Sequence, residues 1–153
     1  MGLNIFRSIL KRIENREEHF LFIVHLTKTI EPYITEWIKA CKTIGIISIP
    51  YSENKEVRIR LGEFTNIYEV SDYRGIPNLI KSICIKHNDR EIVLVEIGGY
   101  SATVSRYLKN VVVSAEDTAQ GYWRFKEQEK KLSYPVVSIA KTDIKGLENK
   151  LVG

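Results

Sequence analysis

The sequence predicts a three-layer α/β fold, with a doubly wound, mainly parallel sheet of about six strands between two helical layers. Amphipathic helical stretches alternate with short apolar runs along all 153 residues. Several of these runs, such as 20–24 and 92–95, are apolar at every position, which is typical of strands buried on both faces. Right-handed crossovers between such strands would make the sheet Rossmann-like or flavodoxin-like.

The individual elements follow from apolar spacing and from residues that begin or end helices. Leu3, Phe6 and Leu10 belong to the apolar stripe of a first amphipathic helix. Pro32 is tolerated in the first turn of the second helix, and we expect Gly45 to end that helix before the next strand. We predict helices over residues 3–16, 30–42, 53–61, 77–87, 102–108, 118–131 and 143–150, and strands over residues 20–24, 46–49, 66–70, 92–95, 111–113 and 136–139.

Composition favours one folded domain over residues 1–153, with an N-terminal helix in 1–18 and the α/β region in 19–153. Hydrophobic residues make up 44% of the chain, enough for a substantial core. No apolar run approaches the roughly 18 residues of a membrane helix, and no secretion signal is visible, so we expect a cytoplasmic protein without membrane contact. The net charge of +4 is dispersed among acidic residues, which argues against a nucleic acid partner.

Candidate site residues follow the predicted strands, because parallel sheets bind ligands beyond the carboxyl ends of their strands. His25 is of interest because an imidazole at the exit of a buried strand can act as a general base or bind a ribose hydroxyl. We expect Ser52, Ser71 and Asp72 to cap helices, as these residue types commonly do. The strand-end segments are residues 25–27, 50–52, 71–72, 96–99, 116–118 and 140–142.

Several kinds of site lack support in the sequence. Gly98 and Gly99 allow close backbone approach to a ligand, but the three-glycine dinucleotide fingerprint and the lysine-bearing phosphate loop are missing. No serine nucleophile elbow occurs, and potential metal ligands are sparse. Tyr122, Trp123 and Phe125 could stack on a base, although their helical spacing is more typical of a core or a partner surface. Thr27 and Thr118 suit helix capping and ligand contact equally well.

Three segments in order resemble the substrate-binding domain of S-adenosylhomocysteine hydrolases: residues 25–27 (HLT), 96–99 (EIGG) and 115–124 (AEDTAQGYWR). Residues 136–142 (VVSIAKT) and 148–153 are similar to the segment that leads into the cofactor domain of that family. The resemblance implies that His25 and Thr27 contact adenosine and that Lys141 approaches the ribose 3′ position. It also places Asp117, beside Thr118, where the family has a glutamate that holds the ribose.

The chain departs from the family at positions that carry its chemistry. The catalytic aspartate before the paired glycines is replaced by Ile97, with a carboxylate one residue earlier at Glu96. A further aspartate of the family corresponds to Lys145, and the chain ends where the NAD-binding domain would begin. We therefore expect no cofactor, unless a partner supplies an NAD domain, and no S-adenosylhomocysteine hydrolysis by this chain alone.

Three functions are compatible with these observations, and we favour the first. The first is that of an adenosine-type nucleoside-binding or sensing domain without redox chemistry. Alternatively, the chain is an interaction module that forms a homo-oligomer or pairs with a separately encoded cofactor domain, with the aromatic residues of 122–125 at the interface. The third possibility is an enzyme with different chemistry that uses His25 and an acid from Glu96, Glu116 or Asp117, with Lys141 as a further catalytic candidate.

Overall fold

A computed structural model of the protein describes residues 2–140 and residue 142, and these form three layers around a six-stranded, all-parallel sheet. The strand order β3-β2-β1-β4-β5-β6 is that of a Rossmann-like sheet, and it reverses direction between β1 and β4. The predicted fold class is therefore confirmed. The strands are β1 (His19–Val24), β2 (Thr43–Ser48), β3 (Ile67–Tyr68), β4 (Ile92–Glu96), β5 (Val111–Glu116) and β6 (Val136–Ser138).

Five α-helices flank the sheet in the described residues, and shorter 3₁₀ turns connect several of them to the strands. None of these helices is long and apolar enough to cross a membrane. The predicted helix over residues 143–150 lies outside the described residues, as does Lys141. The helices are α1 (Gly2–Leu10), α2 (Glu31–Ala40), α3 (Lys55–Gly62), α4 (Ile76–Lys86) and α5 (Ala119–Gln128).

The sheet is buried on both faces, and β1 shows how its sequence produces this. Phe22 and Val24 pack on the side of α2 and α3, whereas Leu21 and Ile23 pack on the side of α4 and α5. Alternate residues of a strand point to opposite faces, so a strand covered on both sides must be apolar throughout. The uninterrupted apolar run in β1 thus reflects its central place in the sheet.

Several predicted elements differ from the structure in extent or type, and three of these differences are instructive. The helix predicted over 3–16 ends at Leu10, and residues 11–15 form turns. The segment predicted as a helix over 102–108 is a 3₁₀ helix (Ala102–Tyr107). The strand predicted over 111–113 continues to Glu116. Apolar spacing does not predict this extension, because Ser114 and Glu116 are polar residues whose side chains lie in the interior through hydrogen bonds.

Gly45 lies inside β2 and does not end a helix. Its α-carbon faces the neighbouring strand β3 so closely that an added Cβ would lie 2.6 Å from the carbonyl oxygen of Asn66 and 2.6 Å from Cε2 of Tyr68. The glycine is therefore required for the parallel pairing of β2 with β3, where Ile46 donates its N–H to Asn66.

We expect Gly45→Ala to lower the free energy of unfolding by about 1–3 kcal/mol, because the methyl group must displace backbone atoms. Gly62→Ala is the matched control: the nearest atom to its added Cβ, on Ile67, is 3.8 Å away, and alanine favours the helix. Urea unfolding followed by circular dichroism measures both changes. Equal stabilities of the two variants would contradict the close approach at Gly45.

Candidate functional site

Five side chains meet at the carboxyl edge of the sheet, where the strand order reverses between β1 and β4. We call His25, Tyr51, Ser52, Tyr100 and Arg124 the switch-point cluster. The His25 and Tyr51 rings pack edge to face with centroids 5.4 Å apart, and burial together with the neighbouring Tyr51 side chain raises the pKa of Tyr100. The Arg124 guanidinium lies 5.0 Å from the centre of the Tyr100 ring. Ligands of doubly wound folds bind in this crevice.

His25 is tied to the loop after β2. Its Nδ1 atom forms a hydrogen bond with Oγ of Ser52, and burial lowers the pKa of the imidazole below its ordinary value. The ring is therefore neutral at pH 7, able to donate from one nitrogen and accept at the other. Tyr51, which packs against the ring, is 69% exposed and accessible to a ligand.

Ser52 does not cap α3, contrary to the expectation from its residue type. Asn54 holds that position, and its side chain accepts a hydrogen bond of 3.1 Å from the backbone N–H of Val57. The Ser52 hydroxyl is thereby available to His25. Asp72, in contrast, does cap a 3₁₀ helix and accepts from the N–H of Arg74 at 2.8 Å.

The Glu116 carboxylate is buried and holds together the loop after β4 and the start of α5. Its oxygens accept hydrogen bonds from the backbone N–H groups of Gly98 (3.1 Å), Gly99 (2.7 Å) and Thr118 (2.6 Å), and from the Thr118 hydroxyl (2.6 Å). Successive backbone N–H groups in a turn or glycine-rich loop commonly bind anionic ligands. Here the protein's own carboxylate accepts from those of Gly98 and Gly99.

Glycines 99 and 121 are required by this arrangement. Gly99 has φ +63°, and a Cβ there would lie 2.8 Å from the backbone of Gly121. A Cβ on Gly121 would lie 2.1 Å from the carboxyl carbon of Glu116. Gly99 and Gly121 therefore accommodate α5 and the buried carboxylate, and this packing accounts for both glycines without a ligand.

Glu96 is the second fully buried carboxylate and lies opposite Glu116 in the β4–β5 register. It accepts hydrogen bonds from Oγ of Ser114 at 2.7 Å and from the backbone N–H and hydroxyl of Ser101, which also accepts from Tyr134 at 2.7 Å. Burial raises the pKa of Glu96, and repulsion by Glu116 raises it further, whereas the hydrogen bonds lower it. Both carboxyl groups are engaged inside the protein, which removes the support for either as the acid partner of His25.

Thr118 caps α5, where its Oγ1 accepts from the N–H of Gly121 at 3.0 Å. Thr27 is not the cap of α2, because Ile30 holds that position; its Oγ1 accepts from the N–H of Ile30 at 3.4 Å in the preceding turn. Both hydrogen bonds are compatible with ligand contact, so the proposed ligand role of the two threonines is unaffected. Lys141 lies outside the described residues.

Asp117 lines a different space from His25. It borders an apolar cavity of about 280 Å³ on the α2 side of the sheet, together with Trp37, Ile97 and Ile139. His25 is not among the residues that line this cavity. The structure therefore does not bring Asp117 and His25 together around one described cavity.

The aromatic residues of α5 divide between core and surface. Phe125 is buried in the core, whereas Trp123 is 54% exposed and packs edge to face on Tyr122 with ring centroids 5.1 Å apart. None of the three belongs to the switch-point cluster. A further residue of the same helix, Arg124, supplies the cationic group there and donates to the carbonyl oxygen of Gly98.

Sequence reasoning assigns no ligand role to four members of the switch-point cluster. The strand-end rule selects the segment that contains Tyr51 and Ser52, but the residue type of Ser52 indicates helix capping and no signal singles out Tyr51. Tyr100 directly follows the paired glycines and is one position outside such a segment. Arg124 lies in the second turn of α5, where no sequence signal separates it from a solvent-exposed cation.

No family model matches this chain, and no curated protein matches it. A relationship to S-adenosylhomocysteine hydrolases accordingly stays a prediction from the quoted segments. Among the described residues, no group of three or more histidine, cysteine, aspartate and glutamate side chains is placed to hold a metal ion. The chemistry of the site is therefore that of the switch-point cluster: a neutral imidazole, three hydroxyl groups and a guanidinium.

We expect Glu96→Gln to change how stability depends on pH. The pKa of Glu96 is raised in the folded state, so protonation of this residue stabilises the fold. This stabilisation is fully present below about pH 4.5 and is lost as the pH rises through the folded-state pKa. Glutamine imitates the protonated acid and does not titrate, so the variant should become progressively more stable than the unmodified protein as the pH rises above about 4.5.

Urea unfolding at several pH values between about 4.5 and 8 measures this difference. Glu63→Gln, at an exposed glutamate, controls for the loss of one negative charge. Parallel stability curves for the Glu96→Gln variant and the unmodified protein would contradict the raised pKa.

Proposed function

We propose that this chain binds an adenosine-type nucleoside in the crevice beyond β1 and β4, without oxidising or reducing it. The observation that carries the proposal is the convergence of His25, Tyr51 and Tyr100 at the point where the strand order reverses. The choice of adenosine as the ligand rests on the resemblance of the quoted segments to S-adenosylhomocysteine hydrolases. The side chains of the crevice are compatible with such a ligand.

The groups in the crevice suit a ligand with an aromatic ring and hydroxyl groups. Tyr51 offers an exposed ring against which a base can pack, and such contacts contribute about 0.5–1.5 kcal/mol. The neutral imidazole of His25 can exchange hydrogen bonds with a ribose hydroxyl or a base nitrogen. Arg124 can donate to a carbonyl or ring nitrogen beside Tyr100.

The hydrogen bonds of Glu116 to the loop after β4 favour a nucleoside over a nucleotide. Glu116 uses the N–H groups of Gly98, Gly99 and Thr118, which would otherwise hold a phosphate as in dinucleotide-binding proteins. A phosphate there would also meet the buried carboxylate. Ribose contacts by Asp117 and Lys141 are proposed from the resemblance alone.

A second candidate function, the interaction module, is favoured by one surface. Val137 and Ile139, on and after the outer strand β6, are 57% and 47% exposed beside the apolar cavity. Exposed apolar residues next to an apolar groove are characteristic of protein contact sites. A partner protein or a second copy of the chain would cover them.

We expect adenosine and S-adenosylhomocysteine to release or absorb heat on titration into the protein, and NAD to give no signal. His25→Ala and Tyr51→Ala should each weaken adenosine binding about fivefold or more, as the loss of a ring contact or hydrogen bond of about 1 kcal/mol requires. Tyr73→Ala removes an exposed tyrosine outside the cluster and is the matched control.

The absence of a heat signal from both nucleosides, or an equal loss of affinity in the Tyr73→Ala control, would contradict the proposal. Sedimentation of the same protein across a range of concentrations tests the second candidate. Self-association that Val137→Asp abolishes, without any nucleoside binding, would favour the interaction module instead.

A further inference from the structure

We infer that Ser52 fixes the tautomer of His25, so that the imidazole presents an unprotonated Nε2 to the ligand as a hydrogen-bond acceptor. Ser52 is thus a positioning residue, and the ligand group that meets His25 must be an O–H or N–H donor. The ligand half of this inference rests on the proposed function, whereas the tautomer is a property of the protein alone.

A chain of two hydrogen bonds sets the direction of the protons. The Ser52 hydroxyl donates to the carbonyl oxygen of Ile49, with an O···O distance of 3.3 Å. A hydroxyl group has one hydrogen, so the same oxygen can only accept from Nδ1 of His25. Nδ1 must then carry the imidazole proton, which leaves a lone pair on Nε2 because burial keeps the ring neutral.

The end of this chain is anchored to the sheet. Ile49 is fully buried directly after β2, and its own N–H donates to the carbonyl oxygen of Val24 at 3.1 Å. Val24 is the last residue of β1 and the immediate neighbour of His25. The acceptor that orients Ser52 and the backbone that carries His25 therefore belong to the same pair of strands, which fixes the imidazole with little conformational freedom.

The other ring nitrogen is left for a ligand. Nε2 of His25 makes no hydrogen bond within the part of the chain that the structure describes, and it is not among the buried polar atoms that lack a partner there. Nε2 is consequently not enclosed by protein, and the imidazole that carries it packs against the exposed ring of Tyr51. An acceptor in this position selects a donor, such as a ribose hydroxyl or the exocyclic amine of adenine.

Long-range ¹H–¹⁵N correlation spectra of the imidazole groups report the tautomer without any ligand. We expect the Nδ1–H form for His25 in the unmodified protein and a shift toward the Nε2–H form in Ser52→Ala. Ser52→Thr keeps the hydroxyl and should restore the Nδ1–H form. Ser82→Ala, which removes the exposed α4 hydroxyl that donates to Asn78, is the matched control and should leave His25 unchanged.

The Nε2–H form in the unmodified protein, or an unchanged tautomer in Ser52→Ala, would overturn the inference. Calorimetry tests whether the ligand must donate a hydrogen bond to His25. At least one analogue that lacks a donor of adenosine should bind about tenfold more weakly than adenosine. The analogues are 2′-deoxyadenosine, 3′-deoxyadenosine, 5′-deoxyadenosine and inosine. That penalty should disappear in His25→Ala. Equal affinities for all five compounds would refute the donor requirement.

The tautomer measurement and the binding measurement together distinguish a failure of this inference from a failure of the proposed function. If no nucleoside binds but the tautomer depends on Ser52 as expected, the proposed function fails and the role of Ser52 stands. If adenosine binds and the tautomer does not depend on Ser52, the function stands and the role assigned to Ser52 fails.

Discussion

The buried carboxylate of Glu116 determines how the carboxyl edge of the sheet is built. A charged group in the interior is costly unless hydrogen bonds replace its water, and Glu116 obtains four such bonds from three neighbouring residues. This requirement draws the loop after β4 onto the first turn of α5. It also excludes a side chain at Gly121, where the carboxyl group lies against the helix backbone.

The position of the switch-point cluster depends on that junction. Arg124 lies on α5, one turn after the residues that contact Glu116, and it reaches back to the carbonyl oxygen of Gly98 and to the Tyr100 ring. Tyr100 follows the loop whose N–H groups Glu116 holds. The cation and one aromatic ring of the crevice are therefore placed by a buried residue whose carboxyl oxygens are engaged in the junction. Such support from behind is what gives a binding site a defined geometry.

The sequence was sufficient for the fold because the fold depends on apolar periodicity. Phe22 and Ile23 are both apolar, and a strand with both faces covered needs nothing more. Apolar periodicity does not predict strands that contain buried polar residues. β5 continues through Ser114 because the hydroxyl of that residue donates a hydrogen bond to Glu96 on the neighbouring strand. Periodicity also does not explain Gly45, because the glycine is required by the approach of β3, a contact distant in sequence.

The candidate site was predictable in position and only partly in composition. The strand-end rule located His25 from a single apolar run, since it follows from topology alone. The role of Ser52 was not predictable, because serine before a helix is a common cap and only the placement of Asn54 reveals that the hydroxyl is free for His25. The contribution of Arg124 required knowing which face of α5 meets the loop after β4, and that depends on Glu116.

The same geometry separates two kinds of residue at the carboxyl edge of the sheet. Gly99, Glu116, Thr118 and Gly121 hold the junction together through mutual packing and hydrogen bonds. Any protein that closes this edge of a sheet with a buried carboxylate would need a similar set, whatever it binds. In the proposed nucleoside site, specificity would therefore come from groups that take no part in the junction, foremost the His25 imidazole and the exposed ring of Tyr51.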